Sequence, residues 1–329
     1  MRWIPTKKKV VLIALILLVL VSVFLLVFRC DHVWIEATCS APKTCEKCGR
    51  TKGDTVEHSY TEANCNYPAR CRYCYKIQGE PLGHDWQPAT CISLESCSRC
   101  IATRGHRSLH TLGESTDGIS KTCTVCQKQF PIKYVALTFD DGPSGDNTQN
   151  LLDGLKERNA KATFFLCGYQ ISYHPGFPEK IAEQGHEIGL HTENHRFLSN
   201  FSSDVIRSEI TKELDRMPNI PIRLLRPPGG HYNGTVESIC SSYGLSIIMW
   251  SLDTLDWDHD DASEIVPNVL RAKDGDIILM HDLKSSSVEA ALEAIDILQA
   301  EGYEFVTVSE LAQLTGNDLY GGSVYYSMN

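Results

Sequence analysis

Side chains suited to proton transfer and metal binding follow several short apolar segments in the C-terminal part of the chain. Asp140 and Asp141 end one such segment, and His191 with His195 follows another. The remaining positions of this kind are Arg226, Asp253 and His281. Carboxylates and imidazoles are side chains that enzymes use to transfer protons or to bind divalent metals. Their recurrence after successive apolar segments favours a catalytic site over unrelated surface positions.

The apolar segments alternate with amphipathic stretches from Tyr134 onward, which predicts alternating strands and helices. The predicted strands are Val135–Asp140, Ala162–Leu166, Glu187–Leu190, Arg223–Leu225, Ile247–Leu252, Ile277–Met280 and Glu304–Val308. The predicted helices are Thr148–Arg158, Asp204–Arg216, Val236–Ser242, Ser263–Arg271 and Val288–Ala300. This alternation predicts a parallel α/β fold, and a barrel is favoured over an open sheet. In such barrels, catalytic side chains lie just after the C-terminal ends of the strands.

Five motifs in this region resemble, in the same order, those of the polysaccharide deacetylases, the NodB-homology group of carbohydrate esterase family 4. They are Thr138–Ser144 (TFDDGPS), His191–His195 (HTENH), Arg226–Gly229 (RPPG), Asp253–Trp257 (DTLDW) and Leu279–His281 (LMH). The third motif of the family often has an aromatic residue where this chain has Gly229. The resemblance covers about Lys133 to Leu314. It implies a distorted (β/α) barrel that removes acetyl groups from a polysaccharide.

The resemblance also implies a metal site with an adjacent base. Asp141, His191 and His195 would bind one divalent metal and leave positions open for water and substrate. Zinc is the first choice, and cobalt or another divalent ion also suits these ligands. Asp140 would act as the general base. Arg226 would keep the Asp140 carboxylate ionised and oriented, because an opposite charge favours the charged form.

Further residues would complete the reaction. His281 would protonate the departing amine, and Asp253 would keep His281 protonated and correctly oriented. A backbone N–H near Gly229 would stabilise the tetrahedral oxyanion together with the metal. Trp257 and Leu279 would form the walls of a small pocket for the acetyl methyl group.

A second set of metal-binding residue types recurs with a period of 26 residues between positions 30 and 131. Each period reads His-x6-Cys-x5-Cys-x2-Cys, except that the last period has Asp117 in place of its first cysteine. The four sets are His32, Cys39, Cys45, Cys48; His58, Cys65, Cys71, Cys74; His84, Cys91, Cys97, Cys100; and His110, Asp117, Cys123, Cys126. A fixed period of this kind predicts an array of small repeated units.

A 26-residue unit is too short to bury a stabilising apolar core, so it needs a covalent or metal cross-link. One histidine with three cysteines, two of them as Cys-x-x-Cys, predicts structural zinc in each unit. Disulfides are the alternative, because an exported protein meets oxidising conditions. The residues on which we expect zinc are the four sets given above. A spacer or a wall-binding module would both suit such an array.

The N-terminal segment predicts a membrane anchor. The 19 residues from Val10 to Phe28 contain no charge and follow Arg2 and Lys7–Lys9. As a helix they would span about 28 Å, close to the hydrocarbon thickness of a bilayer. The preceding basic residues predict a cytoplasmic N-terminus and an exported remainder. A cleaved signal peptide is the alternative, although Val27–Cys30 offers no small-x-small cleavage site.

The N-terminal segment, the Cys/His array and the C-terminal region differ in charge, and the charge of the C-terminal region limits which partners it can bind. The net charge of −10 arises mainly in residues 132–329, which hold 30 acidic and 14 basic side chains. This balance argues against binding to nucleic acid. The predicted organisation is therefore a basic tip and transmembrane anchor at 1–29, four repeats at 30–131 and a deacetylase domain at 132–329.

The predicted protein is a single-pass membrane enzyme whose catalytic domain lies outside the cell. Its expected substrate is an N-acetylated cell-wall glycan, with peptidoglycan N-acetylglucosamine first, and no protein partner is predicted. Chitooligosaccharides and O-acetylated xylan are alternatives on the same fold. A non-catalytic wall-binding protein that acts through its Cys/His repeats is the rival class.

Overall fold

The computed structural model describes residues 7–27 and 30–328, and the chain divides into two compact units. Positions 1–6, 28, 29 and 329 lie outside the described residues, so most of the predicted basic tip and the last residue of the predicted anchor are not described. The smaller unit comprises Met1–Ala89 and Leu94–His106, and the larger unit comprises Thr90–Ser93 and Arg107–Asn329. This boundary differs from the one predicted between residues 131 and 132.

The first helix, α1, comprises Lys7–Val27. A helix that crosses a bilayer needs about 20 consecutive apolar residues. Among the residues that the structure describes, no helix is long and apolar enough to do so. The predicted transmembrane anchor is therefore not supported.

The rest of the smaller unit consists of short antiparallel strands. They are β1 (Trp34–Ile35), β2 (Lys43–Cys45), β3 (Thr51–Lys52), β4 (Ala69–Arg70), β5 (Ile77–Gln78), β6 (Trp86–Gln87), β7 (Glu95–Cys97) and β8 (Thr103–Arg104). They form a β1-β2-β3 sheet, a β4-β5 hairpin and a β6-β7-β8 sheet. Within residues 30–89 and 94–106, every buried residue is a cysteine: Cys39, Cys45, Cys65, Cys71 and Cys97. These strands thus have no hydrocarbon core to hold them together.

The larger unit contains one hairpin and a nine-stranded sheet among its described residues. The hairpin strands are β9 (Ser120–Thr122) and β10 (Gln129–Pro131). The sheet strands are β11 (Lys133–Asp140), β12 (Thr163–Leu166), β13 (Glu187–Leu190), β14 (Leu224–Leu225), β15 (Ser246–Ile248), β16 (Leu252–Asp253), β17 (Ile277–His281), β18 (Tyr303–Val306) and β19 (Val324–Tyr325). Their order is β16-β17-β11-β12-β13-β14-β15-β19, with β18 paired to the first half of β11.

The ladders of this sheet are parallel, and helices connect most of its strands. The helices are α2 (Asp146–Glu157), α3 (Gly168–Tyr173), α4 (Phe177–Glu183), α5 (Ser203–Leu214), α6 (Gly234–Tyr243), α7 (Ala262–Val269), α8 (Ser285–Gln299) and α9 (Val308–Leu314). The strand order ends at β16 and β19, which do not pair with each other among the described residues. The fold is therefore an α/β half-barrel, more open than the predicted barrel.

Side chains of the sheet strands point alternately to its two faces, and both faces are buried. In β11, Leu137 and Phe139 belong to the core between sheet and helices. Ala136 faces the inside of the half-barrel, in a cluster with Val308 and Leu311 of α9. Since side chains alternate along a strand, Thr138 and Asp140 share the inner face with Ala136. The inner layer is thus apolar toward the start of β11 and polar at its C-terminal end.

Candidate active site

Three predicted metal ligands converge at the C-terminal edge of the sheet. Asp141 follows β11, and His191 and His195 lie in the loop after β13. Asp141 Oδ1 lies 3.3 Å from His191 Nε2 and 3.0 Å from His195 Nε2. The three ligand atoms lie within 4.8 Å of one another. One carboxylate and two imidazoles at this spacing fit a single divalent cation with open positions.

The local backbone directs these side chains toward one point. Asp141, Thr192 and His195 have φ values of 71°, 71° and 52°, in the left-handed region that most side chains avoid. Strain of this kind persists where the surrounding structure requires it. His191 Nδ1 donates a hydrogen bond to the carbonyl oxygen of Arg226 at 2.8 Å. That bond fixes the ring and leaves Nε2 free to bind a metal.

The ionisation of the site also suits a cation. Burial acts to raise the pKa of Asp141, but its contacts with the His191 and His195 rings outweigh burial and hold the pKa well below its usual range. Asp141 is thus a carboxylate at neutral pH, in the form that binds metal.

Asp140 and Arg226 form a buried ion pair beside these ligands. Asp140 Oδ1 accepts a hydrogen bond from Arg226 Nη1 at 2.8 Å, as the predicted pairing requires. Arg226 also donates to Thr138 Oγ1 at 2.7 Å and to the carbonyl oxygens of Ile248 and Met249 at 3.0 and 2.9 Å. Its guanidinium lies over the Phe165 ring at 4.1 Å. The second carboxylate oxygen, Asp140 Oδ2, lies 3.7 Å from His191 Nε2 and thus borders the ligand set.

His281 ends β17, the strand next to β11, and Asp256 orients its ring. His281 Nδ1 bonds to Asp256 Oδ1 at 3.0 Å, and the His281 backbone N–H donates to Asp256 Oδ2 at 2.8 Å. His281 Nε2 lies 4.0 Å from Asp141 Oδ2. Burial alone would lower the pKa of His281, but Asp256, with Asp140 and Asp141, raises it to about 9. His281 is therefore protonated at neutral pH.

The prediction that Asp253 orients His281 is wrong. Asp253 lies at the end of β16, and its Oδ1 accepts a hydrogen bond from the Leu255 N–H at 2.9 Å. That contact stabilises the left-handed conformation of Leu255, whose φ is 56°. The turn carries the chain round so that Asp256, three residues later, reaches His281. Residue type alone does not distinguish these two aspartates.

The three residues predicted to contact the substrate lie in three different environments. Leu279 is buried on β17, on the same strand face as His281. Trp257 is 54% exposed. Gly229 has a φ of 59°, and a Cβ there would lie 3.0 Å from His231 and 3.1 Å from Phe197. A side chain at position 229 would therefore be both strained and crowded.

Phe197 and His231 are neighbours of the site that the sequence analysis missed. Their rings stack with centroids 4.5 Å apart, and Phe197 lies edge-on to His195 at 6.3 Å. Both side chains are exposed. The position of Phe197 two residues after His195 is the sequence signal that could have indicated it.

The Cys/His sets of residues 30–126 are grouped differently from the prediction. The structure brings together Cys30, His32, Cys45, Cys48; Cys39, His58, Cys71, Cys74; Cys65, His84, Cys97, Cys100; and Cys91, His110, Cys123, Cys126. The last three sets thus take their first cysteine from the preceding period. Asp117 is not a ligand, because its carboxylate accepts hydrogen bonds from Ile119 and Ser120 within its own turn. Placing Cys39, Cys65 and Cys91 with the histidine of their own period was therefore wrong.

Comparison with known proteins agrees with the geometry of the larger unit. The polysaccharide deacetylase family model matches residues 127–248. A peptidoglycan-N-acetylglucosamine deacetylase of Bacillus cereus is 38% identical over 188 residues, which cover 54% of this chain and 88% of the relative. The peptidoglycan-N-acetylglucosamine deacetylase PgdA of Listeria monocytogenes is 38% identical over 199 residues, or 59% of this chain, but only 41% of the relative is matched.

A solved structure shows the same relationship. The family 4 acetyl xylan esterase of Clostridium thermocellum, in complex with a cobalt ion, superposes with a TM-score of 0.55 at 32% identity. The match covers 59% of this chain and 98% of that structure. The chain belongs to the polysaccharide deacetylase family, carbohydrate esterase family 4. It is accordingly a hydrolase that acts on amide bonds, in a family whose deacetylases generally depend on a divalent metal.

Proposed function

We propose that this enzyme removes the N-acetyl group of N-acetylglucosamine in cell-wall peptidoglycan, on the outer face of the cell. The observation that carries the proposal is the convergence of Asp140 and His281 on the Asp141, His191 and His195 ligand set. The named activity of the Bacillus and Listeria relatives supports this choice of glycan. The outer face is where the wall polymer lies.

The metal-ligand set supports hydrolysis by activated water. A divalent metal bound by Asp141, His191 and His195 would polarise the amide carbonyl and acidify a water molecule. Zinc is our first choice, and the cobalt-containing relative shows that the fold accepts another ion. The hydrogen bond from His191 Nδ1 to Arg226 keeps Nε2 directed at this point.

Asp140 has the position of the general base. Its Oδ1 is held by Arg226, while Oδ2 borders the ligand set, where it would accept the proton of the attacking water. Arg226 is completely buried, and burial lowers its pKa even though Asp140 opposes that effect. The ion pair fixes the orientation of Asp140. A base that was free to rotate would lose effective concentration at the reacting water.

His281 has the charge state of the general acid. Its raised pKa, about 9, means that Nε2 carries a proton at neutral pH, which would pass to the nitrogen of the glucosamine as the C–N bond breaks. The products are acetate and a free amine. Asp256 positions His281 and stabilises its charge but does not touch the substrate in this scheme.

Binding of the sugar would use the rim of the site. Gly229 would supply the backbone N–H for the oxyanion, while Trp257 and Leu279 would enclose the acetyl methyl group. The exposed stacked pair of Phe197 and His231, next to His195, offers a flat surface for a sugar ring. Its place at the rim supports a polymeric glycan that extends beyond one residue.

Acetate release from different polymers tests this proposal. The metal-loaded full-length chain should release acetate from peptidoglycan faster than from chitooligosaccharides or acetylated xylan. Asp140→Asn should lower the rate about 10²–10⁴-fold, the usual contribution of a general base. Asp153→Asn, which changes an exposed aspartate on α2, is the matched control and should leave the rate unchanged.

The competing outcomes are distinct. A preference for xylan would support an acetyl xylan esterase, the activity that the Clostridium relative's name gives. No acetate from any of these polymers, with wall binding retained, would support the non-catalytic class. An Asp140→Asn variant as active as the parent would remove the assigned base.

A further inference from the structure

We propose that the chain carries four structural zinc sites, apart from the deacetylase centre, whose ligand sets are staggered along the sequence. Each site has three cysteines and one histidine, and each lies wholly within one of the two compact units. The first set uses Cys30, and each later set uses a cysteine from the preceding 26-residue period. Metal coordination would thus link every period to the next.

The distances between ligand atoms fit a tetrahedral zinc site. The paired sulfurs Cys30–Cys45, Cys39–Cys71, Cys65–Cys97 and Cys91–Cys123 are 3.7, 3.6, 3.7 and 3.8 Å apart. With zinc–sulfur bonds of about 2.3 Å, a tetrahedron has edges of about 3.8 Å between sulfurs. A disulfide would bring the same atoms to about 2.05 Å.

The sulfur–nitrogen distances agree with the same geometry. The second cysteine of each Cys-x-x-Cys pair lies 3.3, 3.3, 3.4 and 3.5 Å from the Nδ1 atom of its histidine, in chain order. Zinc bonds of about 2.3 Å to sulfur and about 2.0 Å to nitrogen give a tetrahedral edge of about 3.5 Å. Three thiolates and one imidazole form a closed Cys3His set, which favours structural zinc over harder cations.

The local backbone positions the Cys-x-x-Cys pairs for this role. In the first, second and fourth sets the N–H of the residue after the pair donates to the carbonyl oxygen of its first cysteine, at 2.9, 3.0 and 3.0 Å. The donors are Gly49, Tyr75 and Gln127, and all three have positive φ. This tight turn directs both sulfurs of a pair to the same side.

Neighbouring rings hold the histidines. His32, His58 and His84 contact the aromatic ring two residues later, with centroids 5.0, 5.5 and 4.8 Å apart. The fourth period has Leu112 in that place, and His110 instead contacts Phe130 at 4.7 Å. His84 Nε2 also bonds to Asn66 Oδ1 at 3.1 Å. Such contacts fix the ring so that Nδ1 is presented to the cysteines.

The stagger accounts for the two irregular ends of the array. The first set has no preceding period to supply a cysteine, and Cys30 takes that place two residues before His32. The last period has no following period, so a cysteine at position 117 would have no partners. Asp117 stands there and accepts hydrogen bonds within its turn instead. Grouping within one period leaves Cys30 without a role and requires Asp117 to be a ligand.

Two single variants of the whole chain test whether the ligand sets are staggered. The measured quantity is the number of zinc ions per chain that remain bound after competition with a chelator. Cys30→Ser should lose one zinc per chain, whereas Asp117→Asn should lose none. The opposite result would show that the ligands come from one period and would overturn the stagger. Zinc retained in Cys30→Ser would overturn the first site. A parent chain without zinc, with its cysteines in disulfides, would overturn the whole proposal.

Two double variants give an independent result. Cys39→Ser with Cys71→Ser changes one staggered set, so one zinc should be lost. Cys39→Ser with Cys45→Ser changes two staggered sets, so two should be lost. Grouping within one period predicts the reverse, and equal losses would contradict the proposal. Metal content is the readout, so the result is independent of acetate release, and retained acetate release in each variant shows that the deacetylase fold is intact.

Discussion

Replacing Asp256 by asparagine separates the role of this residue from that of Asp253. The Asp256 carboxylate is fully buried and bonds to both Nδ1 and the backbone N–H of His281. Removing an opposite charge at this distance lowers a histidine pKa by about 1–3 units. The pKa of His281, about 9 in the parent, would then fall toward neutrality.

The magnitude follows from two effects. At pH 7 the loss of charge would reduce the protonated fraction of His281 by up to about tenfold. An asparagine also cannot accept both hydrogen bonds, so the ring would be less well oriented, and proton transfer by an oriented acid contributes about 10²–10⁴-fold. We therefore expect kcat to fall about 10- to 100-fold. The rate requires the protonated form, so the alkaline limb of the kcat profile should move to lower pH.

The assay is the initial rate of acetate release across neutral and alkaline pH, with Asp253→Asn as the matched control. The asparagine oxygen in that control still accepts the Leu255 N–H, so its rate should stay within about twofold of the parent, as for most substitutions that keep their contacts. Unfolding temperatures of both variants separate loss of stability from loss of rate. The reasoning fails if Asp253→Asn loses as much activity as Asp256→Asn, or if the alkaline limb does not move.

Three further predictions concern stability, measured by urea unfolding. Arg226→Met leaves the Asp140 charge buried and unpaired and should cost about 3–5 kcal/mol, whereas the exposed control Arg223→Met should change little. Gly229→Ala should cost more than the roughly 1–2 kcal/mol of Gly244→Ala, because both have positive φ but only position 229 is crowded by neighbours. Burial, with a smaller effect of Lys161, lowers the pKa of His186 to about 4. The unfolded state therefore binds more protons, so stability should fall by up to about 3 kcal/mol from pH 6.5 to 4, and His186→Gln should flatten that decline.

The strands that carry the site could be predicted because burial and polarity change abruptly at their ends. Glu187–Leu190 is a strand over the predicted residues, and β11 extends the predicted Val135–Asp140 only at its start. Both are mainly apolar, and a polar residue ends or directly follows each of them, Asp140 in β11 and His191 after β13. The polar residues must leave the apolar core, and the C-terminal edge of the sheet is where they do so.

The predicted strand Ile247–Leu252 is instead two strands, β15 and β16. The carbonyl oxygens of Ile248 and Met249 bind the guanidinium of Arg226. Because these carbonyl oxygens bind a side chain distant in sequence, the backbone between β15 and β16 leaves the regular ladder. The apolar pattern of residues 247–252 does not indicate this contact. The strand β19 could not be predicted for a different reason: its two residues are too few to give a recognisable apolar pattern.

The sequence repeat could not show which cysteines share a site, for a more general reason. A sequence that repeats every 26 residues is unchanged when one cysteine of each set is exchanged for its counterpart one period away. The interior of the array therefore fits both groupings equally, and only the ends distinguish them. Cys30 adds a ligand before the first period, and Asp117 removes one from the last. Taken together, these two departures from the repeat are what staggered sets require, because a chain of sites that each borrow from the preceding period needs an extra donor at its start and none at its end.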